Sequence, residues 1–333
     1  MWHSSIFSFE SLRTVRPRLP LTIVAVLALL VVAEGACRRL PQRWFVDPWL
    51  GTARIVFIED HILPTCDSPK VVFLGSSRGM FGVNPRLLDR RLGLPDRSCV
   101  NCSILTGGPE LFLKFYHRNR RKLKSAELVI LNVDEWHFVG PPTFSAGGEP
   151  PTMFIDEVFP MRERYLALVD NLLMMTGFSK ARTLGLMVDE NNQAWSSPKQ
   201  DFSYPADLKS YRTIIRGSYY REDECICPYK LAMVTQLAKM VHEDGGRFVI
   251  IQMPNRAAFH REVLSLYGPE FRRRVAAVRA LDLSYYLFEH PAECGLSDDS
   301  YTDGMHLRPT GADQFTCFLA DWIRRENLLK TGE

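Results

Sequence analysis

The sequence lacks any sizeable excess of one charge: 41 Lys and Arg face 38 Asp and Glu, for a net charge of +3. A dedicated nucleic-acid binder carries a strongly basic face, and this balance supports none. Internal repeats and low-complexity tracts are also missing, which excludes solenoids and arrays. Apolar residues are not scarce, at 46% of the chain, so intrinsic disorder describes most of it poorly. Metal-ribbon spacing is absent among the eight cysteines. Cys99-x-x-Cys102 and Cys225-x-Cys227 lie too far apart for a compact zinc site, and one pair falls on a strand-like stretch. Disulfides and free or buried thiols both stay open, because pairing is not readable from spacing.

A local shortage of charge is a signal in its own right. No charged residue occurs from Leu19 to Ala33, while Arg13, Arg16 and Arg18 precede this stretch and Arg38, Arg39 and Arg43 follow it. A spanning helix needs about 20 mostly apolar residues, a length reached here with Glu34 near the far interface. Our reading is a transmembrane signal anchor over residues 19–37, after an N-terminal tail of residues 1–18. A cleaved secretory signal and a buried soluble helix are the alternatives. A lipoprotein site at Cys37 is disfavoured, since Glu34 stands where an aliphatic residue belongs. Arginines on both sides leave the positive-inside rule undecided. The short tail favours an extracytoplasmic bulk, periplasmic or at the cell surface.

A juxtamembrane connector is expected over residues 38–68, broken by Pro41, Pro48 and Pro64, with a short helix over 55–63 packed on the domain. The main domain spans 69–330, within the size of one large domain. Short apolar runs at 71–74, 99–101, 128–131 and 248–251, with a weaker one near 283–285, read as strands. Between them, helices are expected from Pro85 to Leu92 and from about Pro109 to Lys124. Another ends near Gly245-Gly246, and a last one runs from Pro309 to about Asn327. Residues 138–227 break the alternation and read as an insertion, a lid or a substrate-facing surface. The pattern predicts a doubly wound, three-layer α/β sandwich with a mostly parallel sheet. In such sheets ligands sit beyond the carboxyl ends of the strands, so chemistry is expected just after each apolar run.

Two fragments meet that expectation. Gly75-Ser76-Ser77-Arg78 follows the first strand, and a hydroxyl on a turn there can reach a bound ester if a base activates it. Asp303-Gly304-Met305-His306 leads into the last helix. An imidazole there can take the serine proton, oriented by a carboxylate three residues earlier. Alone, the first fragment reads equally as a helix cap and the second as a surface turn.

Together and in order, these blocks resemble the SGNH (GDSL-like) hydrolase superfamily, of SGNH/flavodoxin-like fold. Ser77 matches its nucleophile, with Ser76 in place of the usual aspartate. Val100-Asn101-Cys102-Ser103-Ile104-Leu105-Thr106-Gly107 is similar to its second block, and Asp303 with His306 to its last. The resemblance implies a triad of Ser77, His306 and Asp303, with oxyanion donors from the Ser77 and Gly107 amides. It implies neither metal nor organic cofactor. The third block departs. Its strand ends Asn132-Val133-Asp134-Glu135-Trp136-His137, which puts Asp134 where the family has an oxyanion-binding asparagine. Asn132 serves that role only if the strand end is offset. An ionised carboxylate there repels an oxyanion.

The branch most similar is membrane-anchored and acts on cell envelopes. It implies an esterase or O-acyltransferase acting on acyl, chiefly acetyl, esters of an envelope polysaccharide or related polymer, with a polytopic membrane O-acyltransferase as a partner. A catalytically weak glycan-binding scaffold is the second reading, and a lipid esterase the third. Four further features have bland alternatives. His137 reads as structural or as a group reaching the site. Arg78 reads as a helix-start surface residue, an anion ligand, or a partner of Asp134. The basic run from His117 to Lys124 reads as a solvated face or a lipid-headgroup contact, and Arg272-Arg273-Arg274 as a solvated face.

Overall fold

The structure is a computed structural model that describes residues 23–26, 28–29, 54–55, 58–104, 107–140, 187–188, 194–195, 208–221 and 224–329. The chain divides into two compact units, Met1–Trp44 and Phe45–Glu333. In the first, residues 23–26 and 28–29 are helical. The rest of the expected anchor over 19–37, the tail, most of the connector and much of the insertion lie outside the described residues. Among the described residues no helix is long and apolar enough to cross a membrane.

The second unit is built on five parallel strands: β1 (Val71–Gly75), β2 (Cys99–Asn101), β3 (Leu128–Asn132), β4 (Arg247–Gln252) and β5 (Ser284–Leu287). They lie in the order β2-β1-β3-β4-β5. Every residue of β1 and β3 is buried, as expected for strands covered on both faces. Alternate residues feed two cores. Val72, Leu74, Val129, Leu131 and Ile250 pack under the helices α3 (Pro109–Leu123) and α5 (Pro228–Glu243). Val71, Phe73, Ile130 and Ile251 pack under α2 (Pro85–Leu92) and α7 (Pro309–Arg325). The three-layer sandwich follows from this period of two.

Helix ends follow local chemistry. Proline opens α2, α3, α5 and α7 at the first turn, where its missing N–H costs nothing. The Asn84 side chain caps α2 by accepting from the Leu87 amide at 3.1 Å, and Gly93 ends it with φ +71°. The expected short helix over 55–63 is a π-turn, Ile58–Ile62, followed by a 3-10 turn, and Ile55, Ile58, Ile62 and Leu63 enter the core beside α3.

The five-stranded sheet is parallel throughout; among the described residues antiparallel pairs occur at Val139–Gly140 with Cys225–Ile226, at Met187–Val188 with Ala194–Trp195 and at the Tyr301–Leu307 bridge. A six-residue helix, α1 (Ser77–Gly82), begins at the serine itself. The longest helix among the described residues, α6 (Ala257–Arg279), was not legible. Gly268-Pro269 interrupts its periodicity, and the chain kinks at Tyr267, where φ is −137° and ψ 25°. A seven-residue helix, α4 (Leu208–Ile214), packs on α6.

The basic run on α3 lies on an exposed face, where two of its arginines are ion-paired to neighbours. Arg118 meets Glu59 at 2.8 Å, and Arg120 meets Asp244 at 2.8 Å. Arg274 is buried over the Tyr220 ring, with Nη1 donating to the Tyr219 carbonyl at 2.8 Å, so it belongs to the core and not to a solvated face.

Candidate active site

The strand order reverses direction at β1, so the crevice between β1 and β3 is the topological switch point. Ser77 stands there, directly after β1. A side chain at Gly75 would put its Cβ 2.9 Å from the Asn132 carbonyl, so glycine is required where the ends of β1 and β3 meet. Ser76 is extended (φ −80°, ψ −165°), and the chain then turns at once into α1, whose first intrahelical bond runs from the Met80 amide to the Ser76 carbonyl. As a first-turn amide, the Ser77 N–H has no intrahelical acceptor.

Two hundred and twenty-nine residues further along the chain, the approach to α7 folds into a tight loop. It is closed by a bridge between Tyr301 and Leu307 and by the Thr302 amide donating to the His306 carbonyl at 2.9 Å. The Arg256 amide donates to the Gly304 carbonyl at 2.9 Å, which ties the loop to the end of β4. Within it the Asp303 Oδ1 accepts the amides of Met305 and His306, each at 2.7 Å, and Oδ2 lies 2.7 Å from His306 Nδ1. The other ring nitrogen, His306 Nε2, lies 2.8 Å from Ser77 Oγ. With Nδ1–H donating to the carboxylate, Nε2 is left to accept the serine proton. Phe81 presents an edge contact to the imidazole, 5.8 Å between ring centres.

Burial pushes the Asp303 carboxyl up, but the hydrogen bond and charge of His306 and the two amides outweigh it, so the group is held below the ordinary carboxylate range. It is therefore ionised throughout the neutral range. The three residues expected to form a triad are brought together in hydrogen-bonding order.

The expected oxyanion donors are not all available. The Gly107 amide donates to the Ile104 carbonyl at 3.0 Å, because the chain after β2 closes a turn before α3. Asn132 is fully buried as the last residue of β3, and its Nδ2 points to the Ile251 carbonyl at 3.4 Å. In-register pairing with β4 makes it an interior group, so the offset that would free it does not occur. Of the expected donors, the Ser77 amide is left.

Asp134 lies two residues beyond the end of β3, fully buried, and Arg78 Nη1 donates to its Oδ1. Arg78 is thus a partner of Asp134 and not a surface residue. Burial pushes the Asp134 carboxyl up, while the Arg78 guanidinium bonded to it pulls it back down. His137 takes the structural role. Its Nδ1 accepts the Asp134 amide at 3.0 Å in a capping box, and burial pushes its imidazole down to about 4.

Several positions escaped the sequence reading. Arg54 is fully buried, with Nη2 donating to the Asn101 carbonyl at 3.3 Å and Nε to the Ser103 carbonyl at 3.4 Å, which braces the turn after β2. The segment Met253-Pro254-Asn255-Arg256, after β4, carries two acceptors for Arg78 and the amide that holds Gly304. The rule that chemistry follows each apolar run would have found it.

The seven described cysteines are free thiols. Burial raises those of Cys66, Cys99 and Cys102, which makes them poor nucleophiles. Among the described residues no three His, Cys, Asp or Glu side chains are grouped to hold a metal ion.

No protein-family profile and no curated protein matches the chain. Solved structures similar to it include a GDSL-like lipase from Bacteroides thetaiotaomicron VPI-5482, at 10% identity and a TM-score of 0.39, covering 83% of this chain and 99% of that one. An acylhydrolase-type protein from Bacteroides fragilis NCTC 9343 is similar at 10% identity and a TM-score of 0.40, covering 81% of this chain and 96% of that one.

Proposed function

We propose that the chain is a serine esterase or O-acyltransferase of SGNH type. The observation that carries this reading is the relay from Ser77 Oγ through His306 to Asp303, at 2.8 and 2.7 Å. Ser77 Oγ attacks the acyl carbonyl as its proton passes to His306 Nε2. Asp303 holds the Nδ1–H and stabilises the imidazolium that forms. The Ser77 amide donates to the developing oxyanion. His306 then returns the proton to the leaving alkoxide, and the acyl group rests on Ser77. Water, or the hydroxyl of an acceptor, attacks the acyl-serine with His306 again as base, which gives hydrolysis or transfer.

The substrate we assign is an acyl ester, chiefly acetyl, on an envelope polysaccharide or related polymer. The enzyme acts outside the cytoplasm, held at the membrane by residues 19–37, and a polytopic membrane O-acyltransferase is its partner. The charge-free stretch from Leu19 to Ala33 supports the anchor. The loss of Gly107 and Asn132 as donors supports a slow hydrolase, since one such donor is worth roughly 10²–10³ in rate. A fluorophosphonate should label the protein at Ser77, and Ser77→Ala should reduce turnover of p-nitrophenyl acetate by roughly 10³-fold or more. Unchanged turnover in Ser77→Ala would sink the reading.

The same two engaged donors favour one alternative, a glycan-binding scaffold with little turnover of its own. It predicts that the purified protein retains an acetylated glycan without releasing acetate.

A further inference from the structure

Arg78 directly follows the nucleophile, yet only 2% of it is exposed. Its guanidinium turns inward. Nη1 donates to Asp134, while Nη2 donates to the carbonyls of Met253, at 2.6 Å, and Pro254, at 2.8 Å. One side chain ties the first turn of α1 to the chain just beyond β3 and β4. The loop bearing His306 is held to the same place, since the Tyr301 hydroxyl donates to the Pro254 carbonyl at 3.2 Å. Buried ion pairs are often no better for stability than apolar residues of equal volume. A pair kept one residue from the nucleophile has geometry to offer instead. A planar guanidinium serves a carboxylate and two carbonyls in a fixed fan, which an ammonium on a flexible stem does not reproduce.

We propose that Arg78 is a positioning residue that holds the Ser77 hydroxyl against His306, and that Asp134 neutralises the guanidinium so that it does not oppose the imidazolium. This rests on Ser77 being the nucleophile. The aspartate at the third strand end thus serves the site as a counter-charge, not as a ligand of the oxyanion.

The charged and titratable groups around the pair are few. Asp134 lies near Arg78, Glu135 and His306, and its Oδ2 is 3.9 Å from His137 Nδ1. Glu135 is itself held by the Tyr220 hydroxyl at 2.6 Å and Gln252 Nε2 at 2.5 Å. The phenols of Tyr285 and Tyr301 approach Asp134 and Arg78 respectively, and Asp303 faces the imidazole along its other edge.

The test is the rate of Ser77 labelling by a fluorophosphonate from about pH 5 to about pH 9, with thermal melting recorded for every variant. Arg78→Lys keeps the charge but not the fan, and should slow labelling about tenfold to a hundredfold with little change in the acid limb. Asp134→Asn leaves an unbalanced guanidinium, which disfavours the imidazolium, so the acid limb should move to lower pH. A shift of roughly half to one pH unit is expected. Arg78→Gln removes the guanidinium, and the buried Asp134 carboxyl, no longer pulled down by it, takes up a proton, so the limb should stay near that of wild type, as it should in Arg78→Gln/Asp134→Asn. A role in folding alone would lower melting temperatures without moving the limb in Asp134→Asn and returning it in the double variant. Superimposed profiles in all four folded variants would overturn the proposal, as would loss of the fold in all of them while Ser77→Ala stays folded. If Ser77→Ala labels like wild type, the nucleophile reading itself fails and the positioning role goes with it.

Discussion

Asp303 illustrates how much one side chain must do. One oxygen accepts two backbone amides and so builds its own loop; the other fixes the ring of His306. Asp303→Asn can keep the amide contacts through its remaining oxygen, but it presents an NH2 to Nδ1 and favours the wrong tautomer. We expect labelling of Ser77 to fall by roughly 10³–10⁴-fold while the fold persists. Stopped-flow labelling with a thermal melt checks both halves. The residues of the relay were legible because each lies within a short motif next to a strand or helix boundary. The second and third oxyanion donors were misread for a physical reason. Whether an amide is free depends on the carbonyl opposite it, and Ile104 and Ile251 supply those carbonyls here.

The element that matters most is α1, and its depth is set by Gly79. A Cβ there would lie 2.6 Å from Ser103 Oγ and 3.3 Å from Asn132 Oδ1. Gly79→Ala should push α1 away from the sheet, lower stability by about 1–3 kcal/mol, and slow Ser77 labelling because α1 carries Ser77. Ser103 Oγ is buried without a hydrogen-bond partner, so Ser103→Ala in the same chain should restore much of both. Urea unfolding of the single and double variants decides this; equal losses in the two would refute the steric account. Most other elements were legible from apolar runs and proline positions. β1, β2, β3 and β4 lie where the runs predict, and α2 matches from Pro85 to Leu92. α1 was legible only as a helix start at Ser76-Ser77-Arg78, because six residues carry no periodicity, and α6 was hidden because a Gly-Pro step masks a helix that tertiary packing sustains.

At the scale of the whole molecule, buried polar groups couple stability to pH. His137 is held neutral, its imidazole pushed down to about 4 from 6.5 by burial. Above 6.5 neither state is charged and the residue contributes no pH dependence. As pH falls from 6.5 towards 4, the unfolded chain takes up a proton that the fold refuses, so stability is lost in that window, by on the order of 3 kcal/mol in full. His137→Asn retains an acceptor for the Asp134 amide but does not titrate. The stability of the variant relative to wild type should therefore rise across that window, as followed by chemical denaturation. An unchanged difference would show that the imidazole is not held neutral.

The sequence by itself determined the layered α/β architecture, because a strand buried on both faces must read as an unbroken apolar run. It also pointed to the three residues of the relay, though only through the resemblance of its ordered motifs to a family, since each fragment alone reads equally as a cap or a turn. Only the tertiary structure decided which of the expected donor amides are engaged by carbonyls and that Arg78 turns inward to Asp134. Those outcomes depend on the register of β3 against β4 and on carbonyls supplied by distant segments, which no local pattern encodes.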